Sequence, residues 1–404
     1  MRLIDFRSMA DSTGPAKPRK YAAPRGIADL LPDDWPWWRH VRDTAERVCG
    51  LYGYRRIETP VFEHAGVYLR ASAAGTDIVE KEVYLFEDRG GDRLALRPEG
   101  TAGIVRAYIE HGMSSLPQPV RLFYLAPNFR YDRPQAGRYR QHTQFGVEAI
   151  GDAHPLIDAE ILSVLTTFYR ELGLRGYTLK LNSIGDANCR PRFIEALRDY
   201  YRPKLDTVCD DDRMRFEKNP MRLLDCKEAR CFEIIEGAPR LAEYLCDACR
   251  EHFEMLRGYL DAMEIAYEID GRLVRGLDYY TRTAFEMQPA EERGTSALGG
   301  GGRYDGLAEL LGGPATPGIG FGTGVERLIL NLKRQNDQDL EATRINTDPQ
   351  PRLFIAHLTP AAAPIALRIA QRVRDQGLVA LVGGGGRSLK SQMRHADAKG
   401  VAFV

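Results

Sequence analysis

The stretch from Arg121 to Gly151 constrains the fold most strongly, because it combines two strand-like runs with one sharp break between them. RLFYLAPNFRYD is rich in aromatic and aliphatic residues, and QHTQFGVEAI resumes a strand pattern after Pro134 and Gly137. Two such runs joined through a proline and a glycine predict a long antiparallel hairpin.

Four arginines crowd the tip of this predicted hairpin: Arg130, Arg133, Arg138 and Arg140. A run of charge usually faces water, so a solvated loop is one interpretation. The other is an anion site, because the planar guanidinium group with its five donors matches the geometry of a phosphate. The hairpin alone leaves both interpretations open.

The overall charge gives no sign of a polyanionic partner, since 56 lysines and arginines balance 56 aspartates and glutamates. A local basic patch on a neutral chain can still bind phosphates. No apolar run approaches the length of a membrane span, and residues 1–20 lack the apolar core of a signal peptide. We therefore expect a cytoplasmic protein whose residues 1–20 form a disordered extension.

With 404 residues the chain is too long for one ordinary core. Residues 21–335 alternate strand-like runs with amphipathic helices such as LIDAEILSVLTTFYRELG, which predicts an α+β domain with a mostly antiparallel sheet and flanking helices. Cysteines and charged helices interrupt this pattern over about residues 188–263, which we interpret as an inserted helical subdomain. The glycine run at 299–302, taken alone, is more typical of a turn than of a phosphate cradle.

The C-terminal part of the sequence predicts a separate α/β domain. Residues 336–351 are polar and aperiodic, which is typical of a linker. Residues 352–404 follow a β-α-β-α-β pattern that stops inside its third strand. We expect an incomplete domain, because a parallel sheet ending there would leave an apolar edge uncovered.

Polar residues collect at the predicted strand ends of the larger domain. The alternate spacing of Gln144 and Glu148 puts both side chains on one face of a strand. The other polar residues at predicted strand or helix ends are Glu99 and Thr101 in RPEGT, Arg130 in FRYD, Arg275 in RGLDYY and Arg327 in GVERL. Each alone is as typical of a surface ion pair, but together they suggest a site for a polyphosphate and a cationic or amphoteric small molecule.

Five segments resemble motifs of the histidyl-tRNA synthetase family, a branch of the class II aminoacyl-tRNA synthetases. FRYDRPQAGRYRQHTQFGVEAIG is similar to the second class II motif and GIGFGTGVERL to the third. Three further segments resemble elements peculiar to the histidine enzymes: RPEGTAGIVRAYIEHG, RLVRGLDYYTRTAFE and GGGGRYDGL. The resemblance runs from about Pro24 to the end of the chain.

This resemblance implies ATP-dependent activation of L-histidine, followed by transfer of the histidyl group to the 3′ end of tRNA(His). Arg130 and Arg275 would contact the α-phosphate of ATP and Arg327 the γ-phosphate, with Mg²⁺ as the expected ion. Fixed cations suit an in-line attack on the α-phosphorus, because negative charge grows on its oxygens. The other implied ATP-binding positions are Asp132, Arg138 and His142.

The implied histidine site uses the acidic and aromatic positions. The α-amino group would be bound by Glu99, Thr101 and Gln144. The imidazole would be bound by Glu148, Tyr279 and Tyr280. A ring with two nitrogens needs one acceptor and one hydroxyl partner, which a carboxyl group and a phenol supply.

The resemblance also implies macromolecular partners. Arg133 and Gln135 match positions that meet the acceptor end of the tRNA, and residues 352–404 resemble part of the anticodon-binding domain. A homodimer is expected as well, formed through the first class II motif near residues 55–66.

One position departs from the family pattern. Where the family usually has a phenylalanine that stacks on adenine, this chain has His142, followed by Thr143. An imidazole ring can still stack but offers less area, so we expect ATP to bind somewhat more weakly than with phenylalanine.

The cysteines between 209 and 249 resemble a CxxC…C…CxxC pattern found in some members of the family. A tetrahedral zinc site could be formed from Cys209, Cys226, Cys246 and Cys249. The alternative is a set of cysteines without metal, left from an ancestral site.

Two other functions remain open from the sequence. A regulatory paralogue that partners an ATP phosphoribosyltransferase in histidine biosynthesis typically loses the catalytic positions and the anticodon domain. An RNA-binding module without chemistry would bind tRNA but show no histidine-dependent turnover of ATP. Arg130, Arg275 and Arg327 are all retained here, which favours the synthetase.

Overall fold

The structure, a computed structural model, describes residues 21–71, 82–134, 137–226, 228–274, 279–289, 297–338 and 351–404. The chain divides into two compact units. The larger holds the described residues up to 338 except Pro32–His40, and the smaller holds Pro32–His40 and residues 351–404. Among the described helices, none combines the length and the apolar character needed to cross a bilayer.

Strands and helices are mixed along the chain, as the α+β prediction requires. The strands are β1 (Arg55–Arg56), β2 (Phe62–His64), β3 (Leu85–Glu87), β4 (Arg93–Leu96), β5 (Val120–Phe129), β6 (Gln141–Ile150), β7 (Tyr177–Ser183), β8 (Glu268–Ile269), β9 (Thr281–Pro289), β10 (Gly299–Arg303), β11 (Gly318–Gly324), β12 (Leu353–Ile355) and β13 (Ala380–Val382). The helices are α1 (Trp35–Leu51), α2 (Ala65–Ala71), α3 (Thr101–Glu110), α4 (Pro155–Leu172), α5 (Arg190–Tyr201), α6 (Asp210–Lys218), α7 (Phe232–Glu236), α8 (Asp247–Ala262), α9 (Leu307–Leu310), α10 (Val325–Gln338), α11 (Ala363–Arg374) and α12 (Leu389–Ala398).

An eight-stranded sheet forms the centre of the larger unit, in the order β1-β5-β6-β11-β10-β9-β7-β8. All pairings between β5 and β7 in this order are antiparallel, and the outermost pairing at each edge is parallel. The prediction of a mostly antiparallel sheet is therefore confirmed. A smaller sheet of β2, β4 and β3 lies in the same unit.

The predicted hairpin is the pair β5–β6. The two strands stay in register from Val120 opposite Ile150 to Phe129 opposite Gln141. Helix α4 packs on this pair, with the ring centroids of Phe145 and Phe168 4.6 Å apart. The helix ends at Gly173, whose φ of 83° lies in the left-handed region that glycine adopts without strain.

Helix α4 is also tied to the sheet by a buried ion pair. Asp158 and Arg303 are both fully buried, with 2.7 Å between carboxylate and guanidinium atoms. Thr283 on β9 donates a hydrogen bond of 2.5 Å to the same carboxylate. The pair therefore fixes α4 against β9 and β10, and removal of one partner would leave a costly buried charge.

The glycine run at 299–302 forms β10 in the middle of the sheet, and it is not a turn. Glycine is depleted in strands, so its own propensity does not explain this position. The close approach of the neighbouring strands explains it. A Cβ atom on Gly301 would overlap the carbonyl oxygen of Gly320, and one on Gly302 would lie 2.5 Å from the carbonyl oxygen of Thr283.

The part between β7 and β8 is largely helical and contains α5 to α8 with short 3₁₀ turns. Its apolar side chains form a buried core that includes Phe193, Leu197 and Tyr201. This arrangement agrees with the helical character that the sequence predicts for residues 188–263.

In the smaller unit, β12 and β13 pair in parallel and α11 and α12 follow them in the chain. The expected third strand is present only as a bridge between Leu353 and Phe403. Phe354 is fully buried in this unit. Helix α10 extends to Gln338, two residues beyond the predicted start of the linker at 336.

Candidate active site

The site is built over a stretch of sheet that is rich in glycine. Gln144, Gly146 and Glu148 alternate along one face of β6. Across the pairing with β11 they lie opposite Gly324, Gly322 and Gly320. A Cβ atom on Gly320 would overlap Glu148 Oε2, and one on Gly322 would overlap Gln144 Nε2. The glycines of β11 therefore give the two polar side chains of β6 the room to lie across the sheet.

Glu148 is the most enclosed acid of the site, with no exposed surface. Thr101 Oγ1 donates a hydrogen bond of 2.7 Å to Oε1, and the Tyr304 hydroxyl donates one of 2.7 Å to Oε2. Burial raises the pKa of Glu148 to about 8 despite these two donors. The carboxyl group can therefore exchange a proton near neutral pH.

Glu99 is the second buried acid, and it lies at the start of α3. Its carboxylate accepts the backbone N–H groups of Thr101 at 2.6 Å and Ala102 at 2.9 Å. Burial raises the pKa of Glu99, and these N–H groups and the charge of Arg130 oppose that rise. We call Glu99, Thr101, Glu148 and Tyr304 the acidic half of the site. Two enclosed carboxyl groups linked through one threonine suit a ligand that carries positive charge and several N–H groups.

Aromatic and amide groups border the acidic half. The rings of Tyr279 and Tyr280 have their centroids 4.8 Å apart. The ring of Tyr280 packs against Gly302, where a Cβ atom would come within 2.9 Å of Tyr280 Cδ1. The buried Tyr279 hydroxyl has no hydrogen-bond partner among the described residues. A buried hydroxyl without a partner costs free energy, so a ligand group at this position would be favoured.

Asn128 belongs to the site although the sequence argument missed it. It is fully buried on β5, and its Nδ2 donates a hydrogen bond to Gln144 Oε1. Its Oδ1 has no partner in the described part of the chain. The amide thus fixes the orientation of Gln144, and the signal in the sequence is a polar residue within an apolar strand.

Positive charge gathers beside the acidic half. We call Arg130, Arg138, His142 and Arg327 the arginine half of the site. Arg130 Nε donates to the carbonyl oxygen of Pro98 at 2.7 Å. Arg327 donates to the carbonyl oxygens of Gly137 at 2.8 Å and Ala297 at 2.6 Å. Main-chain carbonyls therefore position both guanidinium groups without cancelling their charge.

The neighbouring charges are close enough to affect one another. Burial and then the charges of Arg138 and Arg130 lower the pKa of Arg327. Burial and then Arg130 and Arg327 lower the pKa of His142 to about 3. His142 is therefore a neutral ring at any ordinary pH, and the concentrated positive charge around it suits a polyanion.

Apart from Arg130, the hairpin arginines, including Arg138 of the arginine half, are partly engaged within the loop or exposed. Arg138 forms an ion pair with Asp132, and the Arg140 guanidinium carbon lies 3.9 Å from the centroid of the Tyr131 ring. Arg133 is exposed. Only part of the predicted arginine cluster is thus available to a buried ligand.

Glu326 is another residue that the sequence argument missed. It accepts the backbone N–H of Thr143 at 2.7 Å, and burial raises its pKa to about 7. Its Oε2 has no hydrogen-bond partner among the described residues. Because Glu326 precedes Arg327, this bond ties the start of α10 to β6 and helps to place the arginine.

The structure brings most of the predicted site residues together in these two halves. The acidic half contains Glu99, Thr101 and Glu148, with Gln144 beside it. The arginine half contains Arg130, His142 and Arg327. Arg275 and Gln135 lie outside the described residues, so their predicted roles stay predictions.

The predicted four-cysteine set does not come together as a single site. Cys209 and Cys226 belong to one group with Asp212 and Cys231, whereas Cys246 and Cys249 belong to another with Asp186 and Cys189. The prediction took these cysteines as one site from their resemblance to a family pattern, and the fold instead gives each group three thiols and one aspartate.

The chain is similar in sequence and in fold to known histidyl-tRNA synthetases. The family model described as "Histidyl-tRNA synthetase" matches residues 26–328. A histidine–tRNA ligase of Dehalococcoides mccartyi is 50% identical over 384 residues, which cover 95% of this chain and 90% of that protein. A crystal structure of apo S. aureus histidyl-tRNA synthetase has a TM-score of 0.76 and 36% identity, covering 95% of this chain and 92% of that one.

A more distant solved structure shares the fold alone. It is described as an ATP phosphoribosyltransferase regulatory subunit/histidyl-tRNA synthetase from Bacillus halodurans C. Its TM-score is 0.68 at 21% identity, and the match covers 96% of this chain and 98% of that one.

Proposed function

This chain belongs to the histidyl-tRNA synthetase family, and on that premise we propose that it activates L-histidine with ATP and transfers the histidyl group to tRNA(His). The observation that carries the proposal is the pairing of two buried carboxyl groups with a cluster of arginines at one glycine-lined stretch of sheet. One half suits an amphoteric amino acid with a basic ring, and the other suits a polyphosphate. Both substrates of the first step thus have a complementary surface.

The acidic half is assigned to histidine. Glu148 accepts an imidazole N–H, and its hydrogen bonds from Thr101 and Tyr304 hold the carboxyl group in place. Glu99 and Gln144 bind the α-amino group, and Tyr279 and Tyr280 border the ring. A ligand without a ring nitrogen would leave buried polar groups unpaired, which costs far more than the loss of one exposed contact.

The arginine half is assigned to ATP. Arg130 and Arg275 bind the α-phosphate and Arg327 the γ-phosphate, while Asp132, Arg138 and His142 complete the nucleotide site. Mg²⁺ would accompany ATP and be bound largely by phosphate oxygens and water, as is usual for this ion. The described residues fit such an ion, because Glu326 beside Arg327 has a buried Oε2 without a hydrogen-bond partner among them. The acids of the acidic half are already enclosed by protein donors.

The chemistry then follows from position and charge. The histidine carboxylate attacks the α-phosphorus in line, the bond to the bridging oxygen breaks, and pyrophosphate leaves. The nucleophile belongs to the substrate, so the protein acts by holding two reactants and by stabilising charge on the phosphoryl oxygens. In the second step a terminal ribose hydroxyl of the tRNA attacks the histidyl carbonyl carbon, and AMP leaves.

The macromolecular partners are part of the same proposal. Arg133 and Gln135 meet the acceptor end of tRNA(His), and residues 352–404 contribute to anticodon binding. A homodimer forms through residues 55–66, which sedimentation at low protein concentration would test. A cytoplasmic location goes with tRNA charging, because protein synthesis takes place there.

The proposal is tested by measuring histidine-dependent exchange of pyrophosphate into ATP beside charging of tRNA(His). We expect exchange with the wild-type chain and a loss of at least about tenfold in kcat/KM for histidine with Glu148→Gln, since a neutral amide changes a buried acceptor. Glu171→Gln, at an exposed ion pair with Arg47, is the matched control and should retain full exchange.

Folded wild-type protein without any exchange would overturn the proposal. tRNA binding in that case would indicate a binding module, and activation of an ATP phosphoribosyltransferase would indicate the regulatory paralogue.

A further inference from the structure

The helical insertion contains two groups of metal-ligating side chains apart from the active site. We call Asp186, Cys189, Cys246 and Cys249 the proximal cluster, and Cys209, Asp212, Cys226 and Cys231 the distal cluster. In each cluster the four ligand atoms lie within 4.8 Å of one another. Each cluster therefore offers three sulfurs and one carboxylate oxygen around a single point.

The sulfur separations fit a tetrahedral metal site. Four ligands at the usual zinc–sulfur distance of about 2.3 Å place neighbouring sulfurs about 3.8 Å apart. Cys189 and Cys249 have their sulfurs 3.9 Å apart, and Cys209 and Cys226 have theirs 3.6 Å apart. A disulfide needs about 2.05 Å, so these pairs are open thiols.

Three of the cysteines lie where helices begin. Cys189, Cys209 and Cys246 are the N-cap residues of α5, α6 and α8, helices of 12, 9 and 16 residues. Backbone N–H groups point at two of the sulfurs, from Asp186 to Cys189 at 3.2 Å and from Asp212 to Cys209 at 3.4 Å. These contacts fix the positions of two of the sulfurs within their clusters.

The distal cluster also holds a buried oxygen in need of a partner. Asp212 has no exposed surface, and its Oδ1 accepts a hydrogen bond of 2.9 Å from Arg215 Nη1. Its Oδ2 has no hydrogen-bond partner among the described residues. An unpaired buried carboxylate oxygen is costly, whereas a carboxylate held by an arginine and bound to a cation is an ordinary arrangement.

The proximal cluster joins the start of the insertion to the start of its last helix. Asp186 and Cys189 lie between β7 and α5, and Cys246 and Cys249 lie at the start of α8, about sixty residues later. Asp186 Oδ1 contacts the sulfurs of Cys189 at 3.5 Å and Cys246 at 3.9 Å. A metal ion here would close the insertion as a loop.

The same cluster is adjacent to the catalytic sheet. Arg282 on β9 has its Nη2 3.7 Å from Asp186 Oδ2. Arg190, the residue after Cys189, donates a hydrogen bond to the carbonyl oxygen of Tyr280. A rigid proximal cluster would therefore support the segment that borders the acidic half.

We propose that the insertion binds two structural zinc ions, one in the proximal cluster and one in the distal cluster. Thiolates select zinc among common divalent ions, and an aspartate oxygen is an accepted fourth ligand. Four protein ligands close each site, so both ions stabilise the fold and take no part in the reaction. The free energy of metal binding is then part of the folding free energy of the insertion.

Metal analysis of the full chain, purified without chelators, tests this proposal. Wild-type protein should contain two zinc ions per chain. Cys226→Ala should lose the distal ion and keep the proximal one, and Cys249→Ala should do the reverse. Cys49→Ala, a buried cysteine of α1 outside both clusters, is the matched control and should keep two ions.

A second measurement separates ligand loss from misfolding. Asp212→Cys should keep two ions, because it replaces one ligand by another, and after exchange with Co²⁺ it should add intensity to the sulfur-to-cobalt absorption. One ion or none in folded wild-type protein would overturn the proposal. Two ions retained in Cys226→Ala or in Cys249→Ala would overturn it as well.

Discussion

The two halves of the active site are held in place by different means. In the acidic half, both oxygens of Glu99 and of Glu148 accept hydrogen bonds from protein groups. In the arginine half, Arg130 and Arg327 are anchored on main-chain carbonyls, and within the described residues neither forms an ion pair with a carboxylate. The acidic half thus has a fixed hydrogen-bonding pattern, whereas Arg130 and Arg327 of the arginine half keep their charge uncancelled.

This difference predicts different functions for the two halves. A fixed pattern of buried acceptors selects one ligand over close analogues, because any mismatch leaves a polar group unpaired. Uncancelled charge at fixed positions attracts a polyanion and stabilises the charge that develops in the transition state. Substitutions in the acidic half should therefore affect histidine, and those in the arginine half should affect ATP and the rate.

The largest effect is expected from Arg130→Ala. Removal of a fixed cation at the α-phosphate should lower kcat of pyrophosphate exchange by about 10³-fold, at the upper end of the cost of losing one transition-state donor. The KM for histidine should change little. Arg47→Ala, which removes an exposed ion pair, is the control. A fall in kcat of less than tenfold would show that Arg130 does not stabilise the transition state.

Gly320→Ala should disturb the acidic half by a steric clash, without removing any polar group of the site. The added Cβ atom would overlap Glu148 Oε2 and lie 2.5 Å from the carbonyl oxygen of Val147, so it would displace the carboxyl group and press on β6. We expect kcat/KM for histidine to fall by about 10²-fold and the KM for ATP to stay within about twofold.

Gly258→Ala is the matched control for this substitution. Gly258 lies within α8 with open space around it, so alanine there should stabilise the protein by about 0.5–1 kcal/mol. Normal histidine kinetics in a folded Gly320→Ala variant would show that the glycine lining is not needed for the position of Glu148.

The raised pKa of Glu148 predicts a pH dependence of stability. The folded state keeps a proton up to a pKa of about 8, whereas the unfolded chain loses it near the usual value of 4.5. Between these values the folded state binds more protons, so this group lowers the free energy of unfolding as pH rises, by at most about 1.4 kcal/mol per pH unit.

Urea unfolding of the wild-type chain and of Glu148→Gln, measured from about pH 5 to about pH 8, isolates this effect. The other carboxyl groups with a raised pKa are Glu99, Asp158 and Glu326. They are present in both proteins, so their contributions cancel to first order in the difference. The wild-type protein should lose stability relative to the variant as pH rises. A difference that does not vary with pH would contradict the raised pKa.

The smallest effect is expected from His142→Phe. The imidazole is already neutral because its pKa is lowered to about 3, so the substitution removes no charge. Phenylalanine offers more area for stacking, and the KM for ATP should stay the same or fall. A marked rise in that KM would reveal a polar contact of His142 with the nucleotide.

The sequence was sufficient for the elements that depend on local pattern. The hairpin of β5 and β6 follows from two strand-like runs and a break at Pro134 and Gly137, and the shared face of Gln144 and Glu148 follows from their alternate spacing. Helix α4 follows from its apolar periodicity and from Gly173 at its end.

Features that depend on packing between distant segments could not be predicted. Gly301 and Gly302 of β10 lie where backbone atoms of neighbouring strands leave no room for a Cβ atom. Tyr304 and Asn128 join the site through the strand order. The cysteines were assigned to one site because the sequence does not show that the start of α8 meets the end of β7, which divides them into two clusters.

Separate titrations of L-histidine and of ATP into three proteins test the division of the site most directly. These are the wild-type chain, Glu148→Gln and Arg327→Ala, measured by calorimetry at one pH and salt concentration. Glu148→Gln should weaken histidine binding by about tenfold or more and leave ATP binding unchanged, and Arg327→Ala should do the opposite. A variant that weakens both ligands equally, or weakens the wrong one, would contradict the assignment of the acidic half to histidine and the arginine half to ATP.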